Sequence, residues 1–417
     1  MKIGWRWVPP LYVFQGVPSC LVMTTSALLY KDMGVSVTSF AFWTSIVCLP
    51  WSFKPLWAPF VERFKSKRWW VVSMQALLVV LFVALGLSML LGDYFYPVSL
   101  LLMLLVAFAS ASHDIACDGY YMMALSEREQ SFFVGIRSTF YRVAMVASTG
   151  LIPIVAGRVG AEWSPAVGWA AAITSAGAVL LCLTALCRCG MPRVAETVGR
   201  QDNGLDILLR ALKSFFSHPG AAPAVCFFFF YRLGESVLAK LVTPFLVEDR
   251  SLGGLGLSVQ ACGTVYGTLG ILMLTAGGII GGVLASRFGL RRMLVPMLLF
   301  MNLPNLAYVA LAHFQPEASS LWVSAAVMVE QFGYGFGFTA YMLYMMYYSE
   351  GEFKTSHYAI CTAFMALSMM LPGFVAGYIQ EAIGYVNFFW MVMACCVATL
   401  VVTVLVYRVI DPNYGRK

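Results

Sequence analysis

LASRFGLRRML (residues 284–294) is a basic turn that closes a long apolar run, and FVERFKSKRWW (60–70) is a second copy of it. At the offset that takes residue 63 to residue 287, Arg63 meets Arg287, Phe64 meets Phe288, Lys67 meets Arg291 and Arg68 meets Arg292. Any short loop on the cytoplasmic side of a membrane gathers Lys and Arg. The shared order R-F-x-x-[KR]-R goes further and indicates a duplicated bundle.

The 417-residue chain around these turns is 60% hydrophobic and 11% charged, whereas a soluble domain carries about a quarter charged residues. A chain this apolar needs a bilayer. A spanning helix takes about 20 mostly apolar residues. Such runs fall at 8–30, 39–61, 69–91, 97–122, 132–156, 165–187, 222–246, 260–284, 293–313, 320–348, 356–379 and 385–408. The pattern predicts an all-α membrane protein of twelve transmembrane helices in two six-helix halves. The halves are residues 1–187 and 222–417, joined by a polar linker at 188–221. Within the linker, Leu205, Leu208, Leu209, Leu212, Phe215 and Phe216 repeat at helical spacing. They predict an amphipathic helix that tethers the linker to the membrane surface.

With both termini cytoplasmic, 19 of the 27 Lys and Arg residues fall in inside segments, and three, Lys31, Arg158 and Arg250, fall outside. This bias sets the orientation. It also accounts for the net charge of +7 without a nucleic-acid partner. The first apolar run lacks a small-residue cleavage site and reads as a retained helix. The eleven Cys show no metal-ligand spacing and mostly sit in apolar runs, where they act as small hydrophobes. No metal site is expected.

Span four then poses a problem: ASASHDIACDGYYMMALSERE carries Asp114 and Asp118 in what should be lipid. An ionisable residue at mid-membrane costs about 2.5–3.5 kcal/mol on insertion scales, so such groups face a bundle interior and pair. Spans four and five turn near residue 128. Equal path length from that turn sets Asp118 opposite Arg137, and Asp114 opposite Arg142, because antiparallel helices at equal path length share a depth. Arg232 and Glu235 in span seven are three apart and should share a face. Tyr12 and Gln15 in span one, and Glu330 and Gln331 in span ten, complete a polar set at mid-depth. Pro50, Pro55 and Pro59 should break span two, with Lys54 snorkelling to the cytoplasm. GYGFGF (333–338) follows no strand and reads as close helix packing, not as a phosphate loop. His113 reads as a buried hydrogen-bonding group.

GGVLASRFGLRR (281–292) resembles the signature turn of the major facilitator superfamily, with Ser286 where an acid is usual; the first copy keeps an acid, Glu62. Within that superfamily the chain resembles the AmpG-like permeases of the peptide/acetyl-CoA transporter group. The resemblance rests on the span-four stretch above, on GIRSTFYRVAMVASTG in span five, on YRLGESVLAKLVTPFLVE in span seven, and on FQGVPSCLVMTTSALLYKDMGVS early in the chain. It implies a monomeric, multi-pass inner-membrane transporter that uses the proton gradient, needs no cofactor, and carries an anhydromuropeptide-type cell-wall fragment by alternating access.

On that reading Glu235, Asp114 and Glu330 are the proton-coupling candidates. Arg142, Arg232, Tyr12, Gln15, Tyr231, Gln331 and Tyr334 contact substrate, and Tyr341 offers a further ring. Asp118, Arg137, Glu62, Arg63, Arg287 and Arg291 form structural or gating pairs. A siderophore or an acyl-CoA is the alternative cargo, although a CoA ester asks for more cavity cations. A membrane enzyme or receptor is the remote alternative, since no coherent catalytic set is present.

Overall fold

The computed structural model describes residues 4–35, 39, 43, 46–194, 204–318 and 320–415. Lys2, Arg200, Arg416, Lys417, the opening of the second predicted span, the middle of the linker and the side chain of Leu205 lie outside these residues. Among the described residues there is helix and no strand. Among the described residues, eight helical segments are long and apolar enough to cross a membrane: Gly4–Asp32, Lys67–Ser88, Gly92–Ala124, Glu127–Glu162, Pro165–Gly190, Gly263–Phe288, Leu290–Phe314 and Val375–Tyr407. Helices suit lipid because each satisfies its own backbone groups.

The departures from regular helix have local causes. Gly4–Cys20 runs through a five-residue π turn, Leu21–Thr25, into Ser26–Asp32. The segment after Cys48 is broken into Leu49–Phe53, Lys54–Leu56 and Ala58–Arg63, and the second residue of each piece is a proline, Pro50, Pro55 and Pro59. Proline lacks an N–H and fits the first helical turn, so three prolines make three starts. Ala221–Phe230 and Leu233–Val247 are separated at Tyr231 and Arg232. Lys354–Tyr407 is interrupted at Gly384, whose φ is +74°.

The chain divides into two compact units. Unit 1 is Met1–Leu125, Arg137–Leu212 and Gly351–Ala359; unit 2 is Ser126–Ile136, Lys213–Glu350 and Ile360–Lys417. Phe14, Leu21, Tyr30, Phe82, Trp169 and Ile173 lie in the core of unit 1. Leu238, Phe245, Tyr308, Val327, Phe388 and Phe389 lie in that of unit 2.

The glycines of GYGFGF set the packing of unit 2. A Cβ at Gly335 would collide with the Leu274 carbonyl, one at Gly333 with the Phe300 carbonyl, and one at Gly337 with Met301. Leu321–Tyr348 therefore approaches Ile271–Phe288 on one face and Leu290–Asn302 on the other. The linker helix forms over Gly204–Ser217. Ile207 and Ala211 are buried against Phe353 in unit 1. In unit 2 the carbonyl of Phe215 accepts from the Tyr348 hydroxyl at 2.7 Å. Leu209 and Phe216 stay exposed.

Candidate functional site

In unit 1 the acids of Phe95–Ala124 each meet a cation. Arg137 Nη1 lies 3.1 Å from Asp118 Oδ1. The same nitrogen donates to the Tyr12 hydroxyl at 2.9 Å, Tyr12 donates to Asp118 at 3.2 Å, and Arg137 Nη2 donates to the Tyr358 hydroxyl at 2.7 Å. The guanidinium also sits over the Tyr121 ring, 4.6 Å from its centroid. Aromatic faces stabilise a desolvated guanidinium, and Arg137 is only 2% exposed.

Asp114 takes its cation from Lys54, with a further hydrogen bond from Gln15, and not from Arg142. Two expectations are corrected here. Lys54 is buried and paired; it does not snorkel. Lys54 opens the short turn Lys54–Leu56, with Pro55 second, and is buried while Leu56 is exposed, an arrangement that no periodic pattern records. Arg142 is half-buried on Glu127–Glu162. His113 is fully buried against Phe14 and Cys117. Among the described residues no group of His, Cys, Asp and Glu has the arrangement of a metal site.

Unit 2 is built differently. Arg232 and Glu235 do not pair. Residues three apart share a face only along a continuous helix, and here the helix restarts at Leu233 with Arg232 in its N-cap position. Arg232 turns to Leu321–Tyr348 instead. It donates to the Tyr334 hydroxyl and lies over Phe338, 4.6 Å from the centroid, and over Tyr341 at 5.7 Å. Its Nε has no acceptor, although the residue is 2% exposed.

Glu235 is 3% exposed and its Oε2 has no donor. Glu330, 1% exposed, accepts from Tyr308 at 3.2 Å and from Gln331 at 3.0 Å. Glu235 and Glu330 lie within electrostatic range of each other. Tyr231 and Tyr341 direct their hydroxyls to the Gly337 and Phe228 carbonyls, at 3.1 and 2.7 Å. Those contacts tie Ala221–Phe230 to Leu321–Tyr348 and leave neither hydroxyl as a donor to a ligand.

The two basic turns also differ. Glu62 accepts from the backbone N–H of Thr355 at 2.8 Å and of Ser356 at 3.1 Å, and from the Ser356 hydroxyl. A carboxylate here caps the open N–H groups at the start of the helix that begins at Lys354. Arg63 pairs with Glu352 and stacks on Phe353 at 5.0 Å. In unit 2 Ser286, at the position equivalent to Glu62, donates to its own helix at Val283. No acid is needed there. The first turn of Glu127–Glu162 is capped reciprocally by Ser126 and Glu129, with N···O distances of 3.2 and 3.4 Å, the geometry of a capping box. Arg287 and Arg291 rest over Phe288 and Tyr407, at 5.4 and 4.9 Å.

Lys54, Tyr308, Phe338 and Tyr358 join these clusters without having been expected there. Tyr358 is 221 residues from Arg137, and nothing in its local sequence signals the contact.

The sequence profile of the Major Facilitator Superfamily matches residues 11–352. The anhydromuropeptide permease of Escherichia coli (strain K12) is 26% identical over 407 residues, a match covering 95% of this chain and 78% of that protein. Among solved structures, the E. coli fucose:proton symporter FucP superposes with a TM-score of 0.72 at 13% identity, covering 96% of this chain and 97% of that one. A bacterial homologue of the iron transporter ferroportin, in an outward-facing state, gives 0.65 at 14% identity, with 97% and 98% covered. At these identities the solved structures establish the fold. With its profile match and its helical architecture, this chain is a multi-pass membrane protein that belongs to the Major Facilitator Superfamily, a family of transporters and not of enzymes.

Proposed function

We propose that this chain is a secondary active transporter of the inner membrane, coupled to the proton gradient, that carries an anhydromuropeptide-type fragment by alternating access. Both termini are cytoplasmic in this reading, and the protein works as a monomer without a cofactor. The likeness to an anhydromuropeptide permease along 95% of the chain supports the cargo. The observation that carries the reading is Arg232, a buried guanidinium with an unused Nε and no carboxylate within ion-pair distance. Such a group holds a carboxylate of an incoming ligand, and the peptide portion of a muropeptide supplies one. Tyr334 and Phe338 flank it with rings suited to an apolar sugar face.

A CoA ester fits less well. Of the buried cations among the described residues, Lys54 and Arg137 face acids and Lys67 donates to the Glu62 carbonyl at 2.7 Å. That leaves Arg232 to meet several phosphates. The test is uptake into proteoliposomes under an inward proton gradient, with labelled anhydromuropeptide, free sugar and a CoA ester offered separately. Accumulation of the muropeptide alone is expected. Uptake of none, or of all three equally, contradicts the proposal.

A further inference from the structure

The two units carry one polar framework in different electrical states. In unit 1, Tyr12 and Gln15 face Asp114 and Asp118. Moving Tyr12 and Gln15 forward by the same interval reaches Arg232 and Glu235 in unit 2, and a second shared interval takes Asp114 and Asp118 to Glu330 and Tyr334. The contacts keep this register. Tyr12 bonds to Asp118, and Arg232 bonds to Tyr334. Gln15 bonds to Asp114, and Glu235 lies within electrostatic range of Glu330. Two independent helix pairs thus place their polar groups in matching positions, as expected of a duplicated bundle.

The charges do not match. In unit 1 Lys54 neutralises Asp114 and Arg137 neutralises Asp118. The offset that relates the two basic turns takes Lys54 to Gly278, so unit 2 has no counterpart to that cation. Its framework holds Arg232 against Glu235 and Glu330, which leaves one negative charge in excess. An unmatched buried charge is too costly to stand alone. Glu235 Oε2 and its neighbour Ser236 Oγ are both buried without a hydrogen-bond partner.

The titratable and charged groups around Glu235 are Arg232 on its own segment, Glu330 and Tyr334 on Leu321–Tyr348, Tyr266, Tyr308 and Cys396. Arg232 is the one cation in that set. We infer that the Glu235–Glu330 pair binds a single monovalent cation, and that Asp114 and Asp118 bind none. This rests on the proposed function, under which the cation is a proton shared by two neighbouring carboxyls. The same oxygen chemistry suits sodium, so the experiment includes both ions.

The test needs no substrate. Purified full-length protein is melted in detergent in acid and in alkaline buffer, each with sodium or with choline. The wild-type midpoint is expected to rise with the bound ion, in acid for a proton and with sodium for sodium. In E235Q/E330Q, which removes both carboxylates, that dependence is lost. In D114N/K54Q, which removes a matched pair, it is retained. E235Q alone and E330Q alone serve if the double variant does not fold, and each should weaken the dependence. Dependence that survives in E235Q/E330Q and in both single variants, or that disappears in D114N/K54Q, overturns the inference. If the dependence behaves as expected and labelled muropeptide still fails to enter proteoliposomes, the cation site stands and the proposed cargo falls.

Discussion

Arg232 and Glu235 stand three residues apart and form no ion pair: Arg232 lies over the rings of Tyr334 and Phe338, and Glu235 Oε2 is buried without a donor. The helix break before Leu233 keeps them apart. A continuous helix would have let them neutralise each other and closed both positions to a ligand. The break thus produces the unpaired guanidinium to which the proposed function assigns the substrate carboxylate.

Replacing Arg232 with Lys keeps the charge but removes the planar fork and the stacking surface. The expected result is a folded transporter whose apparent KM for muropeptide rises about tenfold, on the order of 1.4 kcal/mol, with the maximal rate changed less. Concentration-dependent uptake in proteoliposomes measures it.

Lys54 is a structural cation. Lys54→Met leaves the half-buried Asp114 with no counter-charge, which should cost up to about 3–5 kcal/mol. Removing both charges in Lys54→Met/Asp114→Leu should recover most of that loss. Thermal melts of the two variants in detergent make the comparison. Equal stability of the single and double variants would show that the ion pair does not hold this region.

Glu62 and Ser286 are equivalent in the repeat but not in what they support. Glu62→Ala strips the cap from the helix that begins at Lys354 and should destabilise the protein by about 1–3 kcal/mol. Glu62→Gln keeps an acceptor and should lose less. Ser286→Asp should bring no comparable gain, since Ser126 and Glu129 already cap the first turn of Glu127–Glu162. Melting midpoints of the three variants test all of this.

Gly335→Ala drives a methyl group into the Leu274 carbonyl. Overpacking of this kind costs about 1–3 kcal/mol, and more where backbone is the obstacle. Gly377, in a helix with open space where its Cβ would lie, is the control: Gly377→Ala should be neutral or stabilise by up to about 1 kcal/mol. Expression and melting of the pair decide it.

The legible parts of this protein are those governed by local period and path length. The R-F-x-x-[KR]-R order is legible in both basic turns, and equal distance from the turn near residue 128 set Asp118 against Arg137. GYGFGF read as close packing because glycine permits it in any membrane helix. Local period fails where the chain breaks. Lys54 sits between Pro50 and Pro59, so its direction depends on how three short helical pieces are joined. Arg232 sits at a restart, where helical spacing ceases to apply. The partners of Glu62, some 290 residues away, and Tyr358 beside Arg137 are products of tertiary packing, and no neighbouring residue announces them.

Proton movement driven by substrate tests the account most directly. Proteoliposomes holding the wild-type protein and a pH-sensitive dye are given unlabelled muropeptide with no gradient imposed. The lumen should acidify as substrate enters, and it should not do so with E235Q/E330Q. Entry of labelled muropeptide at the same rate with no acidification of the wild-type lumen would contradict the account.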